Sequence, residues 1–326
     1  MTQYKYLIGR IKKSQLGQRL DQALVELFPD YSRSRIKVWI LNGLVRINKQ
    51  VRVVPKGKIF GGESVQIKVF IEKTPYWKPQ AISLNIVYED EYILVINKPC
   101  NIVVHPGAGN FDGTILNALL HYFSPIANVP RAGIVHRLDK NTTGLMVVAK
   151  TLSAQTCLVK SLQAREITRE YEAIAIGSIT ACGTIQQAIA RHAIKRTHMA
   201  VCSMGKPAVT HYRVIENFRN HTRLRLRLET GRTHQIRVHM AHINHPLVGD
   251  PLYGGFSRLQ NKTSNTLNKV LCNFNRQALH ATFLRLHHPI TFIEMEWNAP
   301  LPKDIIELIS ALKEDKNLFG DTKISM

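Results

Sequence analysis

The sequence predicts an α+β protein, in which a small domain of helices and short strands precedes a larger domain built on a mixed, largely antiparallel sheet. Strand-like and helix-like segments alternate after residue 85 without a repeated β-α-β period, and no glycine-rich phosphate loop follows a strand. The proline-containing segment EKTPYWKPQ indicates a linker between the two parts. We therefore assign residues 1–75 to the first domain, 76–84 to the linker, 85–312 to the second domain and 313–326 to a polar tail.

Two consecutive helices open the first domain. Apolar residues within 19–28 recur at helical spacing, and Pro29 ends this helix. Ser32 is suited to cap the second helix, and Gly43 follows that helix as a stop signal. The alternating segments LVRIN and SVQIKVF predict short half-buried strands, the second of them after a turn of two glycines.

The second domain alternates strand and helix patterns. The predicted strands are YILVIN, GLMVVAK, YEAIAIG, HYRVIE, TRLRLRLET and FIEMEW. The predicted helices are TILNALLHY, residues 153–165, RTHQIRVHMAHI and residues 304–313. Strict alternation in TRLRLRLET places Arg223, Arg225 and Arg227 on one face of the sheet and the leucines in the core.

The chain is strongly basic, with 44 Lys and Arg against 23 Asp and Glu and a formal charge of +21. Such a surface favours a polyanionic partner, either nucleic acid or an anionic membrane face. A hydrophobic content of 44% is typical of globular proteins and excludes a disordered basic arm. No apolar run approaches about 18 residues and no signal-peptide pattern is present, so we expect a cytoplasmic protein.

Five cysteines and fourteen histidines raise the question of a metal site. The cysteines lack C-x-x-C spacing, so we expect reduced, mostly buried thiols. His234, His239, His242 and His245 lie close together in the chain, but there is no H-E-x-x-H motif and the carboxylates near enough to complete a shell reduce to Asp250. The sequence therefore predicts no metal, and a histidine-rich metallohydrolase is the disfavoured alternative.

The densest polar cluster is GIVHRLDKNTTGLMVVAK, in which Asp139 lies in a loop at the mouth of a predicted strand. Catalytic groups are often held in such loops, although an aspartate there usually caps a turn. The H-R-x-D order is similar to a kinase catalytic loop, but neither a glycine-rich nucleotide loop nor a D-F-G motif accompanies it. Phosphoryl transfer is therefore disfavoured, and the roles of catalytic group and turn cap both remain open for Asp139.

Four blocks together resemble the pseudouridine synthases of the ribosomal large-subunit type. HRLDKNTTGLMVVAK is similar to the catalytic signature of that family, REYEAIAIG to its tyrosine strand and ETGRTHQIRVHMAHINHPLVGDPLYGG to its arginine block. RLDQALVELFPDYSRSRIKVWILNGLVRIN is similar to the S4 RNA-binding module that precedes many members. The blocks follow the family order over residues 15–302, with Thr143 where many members have Ser. The resemblance implies an S4-like first domain and a pseudouridine synthase fold in the second.

The resemblance also implies the activity: conversion of uridine to pseudouridine in 23S rRNA, in the helix 69 stem-loop, with no cofactor. This isomerisation breaks the C1′–N1 bond and joins C1′ to C5 without redox change, so it needs an ionised carboxylate. That carboxylate is either a nucleophile or the base of an elimination, and both routes remain open. The expected partner is 23S rRNA or the assembling large subunit, with no membrane or nucleotide cofactor, and we expect a monomer. The alternative is a non-catalytic rRNA-binding assembly factor.

The family's roles transfer to matching residues of this chain. Asp139 is the carboxylate, and Arg237 keeps it ionised, with a phosphate contact as the alternative for Arg237. Tyr171 stacks on the target base or removes the C5 proton, with a core tyrosine as the alternative. Arg137 holds the RNA open or contacts phosphate, because a stacked uridine must be extruded before Asp139 reaches it. His136 receives no role.

The first domain is expected to contact RNA phosphates without reading sequence, whereas without the resemblance a solvated basic helix pair explains it equally well. The candidate RNA-binding residues of this domain are Arg19, Arg33, Arg35 and Lys37. In the second domain, Arg223 and Arg225 extend the same basic track, with an ion pair from this row to Glu229 as the alternative.

Overall fold

A computed structural model describes residues 4–29, 31, 33–70, 77–107, 109–254 and 263–319. The chain divides into two compact units, Met1–Trp77 and Lys78–Met326. The predicted helix cap Ser32 lies outside the described residues.

The first unit packs two helices against a small antiparallel sheet. Its helices are α1 (Leu20–Leu27) and α2 (Arg33–Leu41), and its strands are β1 (Tyr4–Arg10), β2 (Val45–Ile47), β3 (Gln50–Val51) and β4 (Ser64–Phe70). Among the described residues the strands pair in the order β1-β4-β2-β3. Gly43 follows α2 with φ of +68°, a conformation that suits glycine at a helix end. The two predicted helices and two predicted strands are confirmed, whereas β1 and β3 were not predicted.

Most of the regular structure lies in the second unit. Its helices are α3 (Ile115–Tyr122), α4 (Leu152–Ala164), α5 (Gln235–His242), α6 (Asn265–Asn273) and α7 (Lys303–Phe319). Its strands are β5 (Ile86–Glu89), β6 (Ile93–Lys98), β7 (Thr143–Ala149), β8 (Thr168–Ile176), β9 (Gly183–Gln186), β10 (Ile189–Arg191), β11 (Met199–Val201), β12 (Val209–Asn217), β13 (His221–Leu228), β14 (Leu279–His287) and β15 (Glu294–Asn298).

Nine of the described strands form one sheet in the order β5-β6-β7-β14-β8-β13-β12-β9, with β15 added on β14. Strands β7 and β14 pair in parallel, and the other neighbours pair antiparallel. The sheet is therefore mixed and largely antiparallel, as the sequence predicts. The central strand β14 is missing from the sequence prediction, as are α6, β5 and the short strands β9, β10 and β11.

The parallel pair of β7 and β14 depends on a close approach at Gly144. This residue has φ of +113°, and a Cβ added there would lie 2.2 Å from the carbonyl oxygen of Ala281. Glycine therefore permits both the backbone conformation and the strand contact. The pairing fixes the start of β7, which is where the Asp139 loop ends.

The final helix extends into the segment that the sequence predicts to be a polar tail, residues 313–326. Asp315 in α7 is buried, and its carboxylate accepts hydrogen bonds from Arg219 Nη1 at 3.0 Å and from the Ser264 backbone N–H at 2.7 Å. These bonds join α7 to α6 and to the β12–β13 turn, so the helix continues to Phe319 because it has a packed face.

The prediction of mostly buried cysteines is wrong. Cys100, Cys182 and Cys272 are exposed, and Cys157 and Cys202 are half-buried. None of the helices in the described part of the chain is long and apolar enough to span a membrane.

Candidate active site

A cleft of about 560 Å³ opens in the second unit and brings together residues that are far apart in the chain. Its lining includes Asp139 from the loop before β7, Tyr171 from β8 and Arg237 from α5. Arg137 also lines the cleft and is exposed to solvent. The cleft is therefore where four of the residues singled out in the sequence meet.

Asp139 and Arg237 form an ion pair on one wall of the cleft. Arg237 Nη1 lies 3.0 Å from Asp139 Oδ2, and the arginine side chain is 4% exposed against 17% for the aspartate. A buried guanidinium beside a partly open carboxylate forms a charge-assisted hydrogen bond. The pair therefore presents a negatively charged oxygen to whatever enters the cleft.

Arg237 is itself held by a second carboxylate, Asp250. Arg237 Nε and Nη2 donate to the two oxygens of Asp250 at 2.7 and 2.8 Å, and the Asp250 side chain is fully buried. Burial alone would raise the pKa of Asp250, but the bonds from Arg237 and from the Leu252 and Tyr253 backbone N–H groups outweigh it and lower the pKa. The resulting order Asp139–Arg237–Asp250 leaves one net negative charge and fixes the arginine in orientation.

His234 and Tyr253 form the adjoining wall. His234 Nε2 lies 3.9 Å from Asp139 Oδ1, and His234 Nδ1 lies 2.8 Å from the Tyr253 hydroxyl. That hydroxyl also accepts a hydrogen bond from the Met199 backbone N–H at 2.8 Å. Burial lowers the pKa of His234, so its imidazole is neutral at pH 7. The Tyr253 hydroxyl thereby connects the β10–β11 hairpin to the residues around Asp139.

Tyr171 lies on the floor of the cleft and is 5% exposed. It is paired with Leu226 of β13 and Ala281 of β14, so its position is fixed by strands on both sides. Burial raises the pKa of its hydroxyl, and the negative charge of Asp139 acts in the same direction. A phenolate is therefore disfavoured at neutral pH.

The Asp139 loop is held from below by Lys98 at the end of β6. Lys98 is fully buried, and its ammonium donates to the carbonyl oxygens of Pro99 at 2.8 Å, Lys140 at 3.0 Å and Ile102 at 3.1 Å. These three bonds use all three of its N–H groups. Burial lowers the pKa of Lys98 to about 8, while the neighbouring Asp139 favours its charged form.

The segment that leads into β14 holds the other end of the loop. Arg276 Nη1 donates to the Asn141 carbonyl at 3.1 Å, and Gln277 Nε2 donates to the Thr142 hydroxyl at 3.0 Å. His280 Nδ1 lies 2.7 Å from the hydroxyl of Thr143, and the Arg276 guanidinium is fixed by Asp304. Successive residues of the loop thus each have a partner outside it, which fixes the backbone that carries Asp139.

His136, which received no role from the sequence, is part of this support. Its Nε2 accepts a hydrogen bond from the Val147 backbone N–H at 3.1 Å. Burial, together with the nearby positive charge of Arg169, lowers the pKa of His136 to about 3, so the ring is neutral. Its contact ties the segment before Asp139 to strand β7.

Arg223 and Arg225, which the sequence predicts to extend the basic track, both pair with one glutamate. Arg223 donates to Glu172 at 2.7 Å and Arg225 donates to Glu172 at 3.2 Å. Arg225 is directly opposite Glu172 in the sheet, whereas Leu226 is opposite Tyr171, so these arginines lie on the sheet face away from the cleft. The alternative of a bond to Glu229 is wrong for them, because that carboxylate pairs with Arg165 and His211.

Two basic residues of the first unit share one buried carboxylate. Asp21 is buried and pairs with Arg19 and Arg33, each at 2.9 Å. Burial would raise the pKa of Asp21, but the hydrogen bonds from the two arginines outweigh this and lower it. Arg35 lies over the Trp39 ring at 5.6 Å, and Lys37 is exposed.

The histidines that raised the metal question have ordinary partners. His239 is fully buried, with its ring nitrogens 2.9 Å from the Thr210 hydroxyl and the Gln187 carbonyl. His245 Nδ1 lies 2.9 Å from the Ile176 carbonyl. Within the described ranges, no group of three or more His, Cys, Asp or Glu side chains is arranged to hold a metal ion.

The fold and this cleft define an RNA pseudouridine synthase carrying an S4 domain. A family model described as RNA pseudouridylate synthase matches residues 92–242, and one described as S4 domain matches residues 18–56. The chain belongs to the RNA pseudouridylate synthase family of the ribosomal large-subunit type.

Relatives agree with this assignment over nearly the whole chain. Ribosomal large subunit pseudouridine synthase D of Escherichia coli (strain K12) is 66% identical over 315 residues, which cover 97% of each chain. The protein of the same description from Yersinia pestis is 66% identical over 321 residues, covering 98% of this chain and 99% of its own. The solved structure of human RNA pseudouridylate synthase domain containing 4 has 25% identity and a TM-score of 0.55, covering 70% of this chain and 93% of that one.

Proposed function

We propose that this enzyme converts uridines of large-subunit rRNA to pseudouridine, in the helix 69 stem-loop of 23S rRNA, with Asp139 as the reacting carboxylate. The observation that carries the proposal is the Asp139–Arg237–Asp250 arrangement, which keeps an ionised carboxylate in a cleft beside Tyr171. The named function of relatives 66% identical to this chain supports rRNA as the substrate. Because large-subunit rRNA is the proposed substrate, we also propose a cytoplasmic location.

The isomerisation needs the glycosidic bond to break while the base stays bound. In one route Asp139 attacks C1′ and forms an ester, and in the other it takes the C2′ proton and a glycal forms. In both routes the electron pair of the C1′–N1 bond leaves with the uracil, which turns and forms a bond from C5 to C1′. In the ester route this bond forms as the bond between Asp139 and C1′ breaks, and in the glycal route Asp139 returns its proton to C2′. The C5 proton is then lost and N1 gains a proton, so the atoms of substrate and product balance.

The exposed Arg137 at the cleft is suited to hold the RNA open. A uridine inside a stem-loop must leave its stack before a carboxylate in a cleft can reach its sugar. Arg137 is two residues from Asp139 in the same loop, whose remaining contacts are with the protein interior. In the first unit, Arg33, Arg35 and Lys37 lie along α2, and we name them the α2 basic residues. Together with Arg19 they are proposed to bind RNA phosphates.

Mapping pseudouridines in 23S rRNA from cells that lack this protein tests the substrate. The expected result is loss of modification in helix 69 and its return when the wild-type gene is restored. Asp139→Asn should fail to restore it, while Glu307→Gln, which alters an exposed carboxylate on α7 outside the cleft, should restore it. Full modification in the deleted strain would refute the rRNA substrate, and restoration by Asp139→Asn would favour the assembly-factor alternative.

A further inference from the structure

The floor of the cleft holds a second buried cation, Arg169, which the Asp139–Arg237–Asp250 arrangement does not use. Arg169 is 7% exposed and lines the cleft together with Tyr171. The two residues are separated by one position on β8, so their side chains lie on the same face of the sheet. Burial raises the pKa of Tyr171, and the nearby positive charge of Arg169 opposes this rise without outweighing it.

Arg169 lacks the partner that a buried guanidinium normally has. Its Nε is buried without a hydrogen-bond partner, and within the described part of the chain no carboxylate forms an ion pair with it. The acidic residues beside it in β8, Glu170 and Glu172, pair with arginines of β13 on the other face of the sheet. Leaving a buried donor without an acceptor is costly, so a ligand in the cleft that supplies an acceptor would stabilise this guanidinium.

Gly231 allows the Arg169 guanidinium to lie against the backbone at the cleft. Gly231 faces the Arg169 guanidinium, and a Cβ added to this glycine would lie 3.0 Å from Arg169 Nη1. Gly231 and Thr230 also line the cleft. The Arg169 guanidinium therefore packs against the backbone of Gly231, and a larger residue at position 231 would push it away from this position.

We propose that Arg169 binds the uracil base and stabilises the negative charge that develops on it when the C1′–N1 bond breaks. This role rests on the proposed function. The electron pair that leaves C1′ is delocalised over N1 and the two carbonyl oxygens of the uracil, and the guanidinium N–H groups donate to one of those oxygens. The charge arises in both the ester route and the glycal route, so the role does not depend on which of them Asp139 follows. Donors placed in advance at a developing oxyanion are among the largest contributions to catalysis.

Burial favours the base over an RNA phosphate as the occupant. A backbone phosphate carries a sugar on each side and is bound at the cleft rim, where Arg137 is exposed. Arg169 lies with Tyr171 on the floor, which an extruded planar base can reach. The two occupants predict different effects of substitution, because loss of a phosphate contact weakens RNA binding and flattens its salt dependence.

The test compares Arg169→Ala with Arg285→Ala, in the full-length enzyme, on a helix 69 stem-loop RNA. Arg285 is on the adjacent strand β14, opposite Thr168, and its side chain is 44% exposed, so its removal changes the charge equally without touching the cleft. Arg169→Ala should lower the single-turnover rate of pseudouridine formation about 100- to 1000-fold. The dissociation constant for RNA and its salt dependence should stay within about twofold of wild type, because no phosphate contact is lost.

Two further measurements separate a chemical role from a structural one. Millimolar guanidinium ion should restore part of the rate of Arg169→Ala and have no such effect on Arg285→Ala. An RNA with 5-fluorouridine at the target position should be consumed with a smaller loss on substitution, because the fluorine withdraws electrons and the leaving base then carries charge more easily. Arg169→Lys keeps the charge with fewer donors and should lie between wild type and Arg169→Ala, which covers the case of an alanine variant that fails to fold.

Each contrary result has its own meaning. A folded Arg169→Ala enzyme with the wild-type rate overturns this role while leaving the proposed function intact. Weaker RNA binding with a flatter salt dependence overturns it in favour of a phosphate contact. A loss that guanidinium does not reverse and that is equal for uridine and 5-fluorouridine overturns it in favour of a packing role. A wild-type enzyme that forms no pseudouridine on this RNA refutes the proposed substrate instead.

Discussion

The buried ion pair between Arg237 and Asp250 should be the costliest polar contact to break in the second unit, and Asp250→Asn tests this. The substitution keeps the shape of the side chain but replaces one acceptor oxygen with an NH₂ group. The Asp250 carboxylate accepts four hydrogen bonds. The donors are Arg237 Nε, Arg237 Nη2 and the Leu252 and Tyr253 backbone N–H groups. If the amide oxygen keeps the place of Oδ1, its NH₂ group faces Arg237 Nε, so one hydrogen bond and the charge pairing are lost together.

The expected cost is about 3 to 5 kcal/mol of the free energy of unfolding, because Arg237 loses its fully buried partner and keeps only the single bond to the partly exposed Asp139. The matched control is Asp304→Asn. Asp304 also accepts two bonds from one arginine, at 2.6 and 2.9 Å from Arg276, but its side chain is 44% exposed against complete burial for Asp250. Water can replace much of the lost interaction at Asp304, so the control should cost about 1 kcal/mol or less.

Urea unfolding of the full chain at pH 7, followed by far-ultraviolet circular dichroism, measures both variants. The second unit holds most of the helices and strands, so it dominates this signal. Equal losses for Asp250→Asn and Asp304→Asn would refute the reasoning, because the two sites share bidentate geometry and differ chiefly in burial. A loss below about 1 kcal/mol for Asp250→Asn would show that Arg237 is adequately paired by Asp139 alone.

Three other outcomes can be measured on the same protein. Burial lowers the pKa of His221 and of His280 to about 4, so as pH falls the unfolded chain binds protons before the folded chain does. The free energy of unfolding should therefore decrease as pH drops from about 6.5 towards 4, by about 3 kcal/mol for each histidine. In urea unfolding, this decrease with pH should be smaller for His221→Asn than for wild type. Gly144→Ala should destabilise the second unit by about 3 kcal/mol or more, since it adds a 2.2 Å contact to an unfavourable φ, whereas Gly113→Ala, with positive φ and open space around it, should cost about 1 kcal/mol in the same assay. Replacing the three α2 basic residues by Ala should weaken RNA binding and reduce the slope of log K against log salt by up to about 3, and an unchanged slope would show that this face does not meet phosphate.

The spacing of apolar residues was enough to predict an element where one of its faces is buried and the other is exposed to solvent. The alternation in β13 and the helical spacing in α1 both correspond to observed elements. Strand β14 was missed because it lies between β7, β8 and β15 and is buried along much of its length, so its side chains do not alternate cleanly between polar and apolar. The sequence predicts too early an end for helix α7, because Asp315 stabilises the helix through bonds from Arg219 and Ser264, which no local pattern reveals.

The candidate site was accessible from the sequence through motifs and not through periodicity. Asp139, Tyr171 and Arg237 lie in blocks that resemble a family, and the structure brings all three to one cleft. The sequence suggests Asp250 only as a metal ligand, because nothing in the sequence shows that its carboxylate oxygens face Arg237. Arg169 stands two positions before Tyr171 in a quoted block, and its importance lies in the partner it lacks, which is a property of the folded environment.

The supports of the Asp139 loop have a consequence for protein synthesis. The loop precedes residue 144, but the Arg276, Gln277 and His280 side chains that hold it lie more than 130 positions later in the chain. The parallel pairing of β7 with β14 has the same separation, and contacts between such distant segments form late because a long loop must first close. A nascent chain released before strand β14 would have Asp139 without the supports from Arg276, Gln277 and His280. The supports of the Asp139 loop are therefore complete only once the last fifth of the chain has been synthesised, long after the S4 domain.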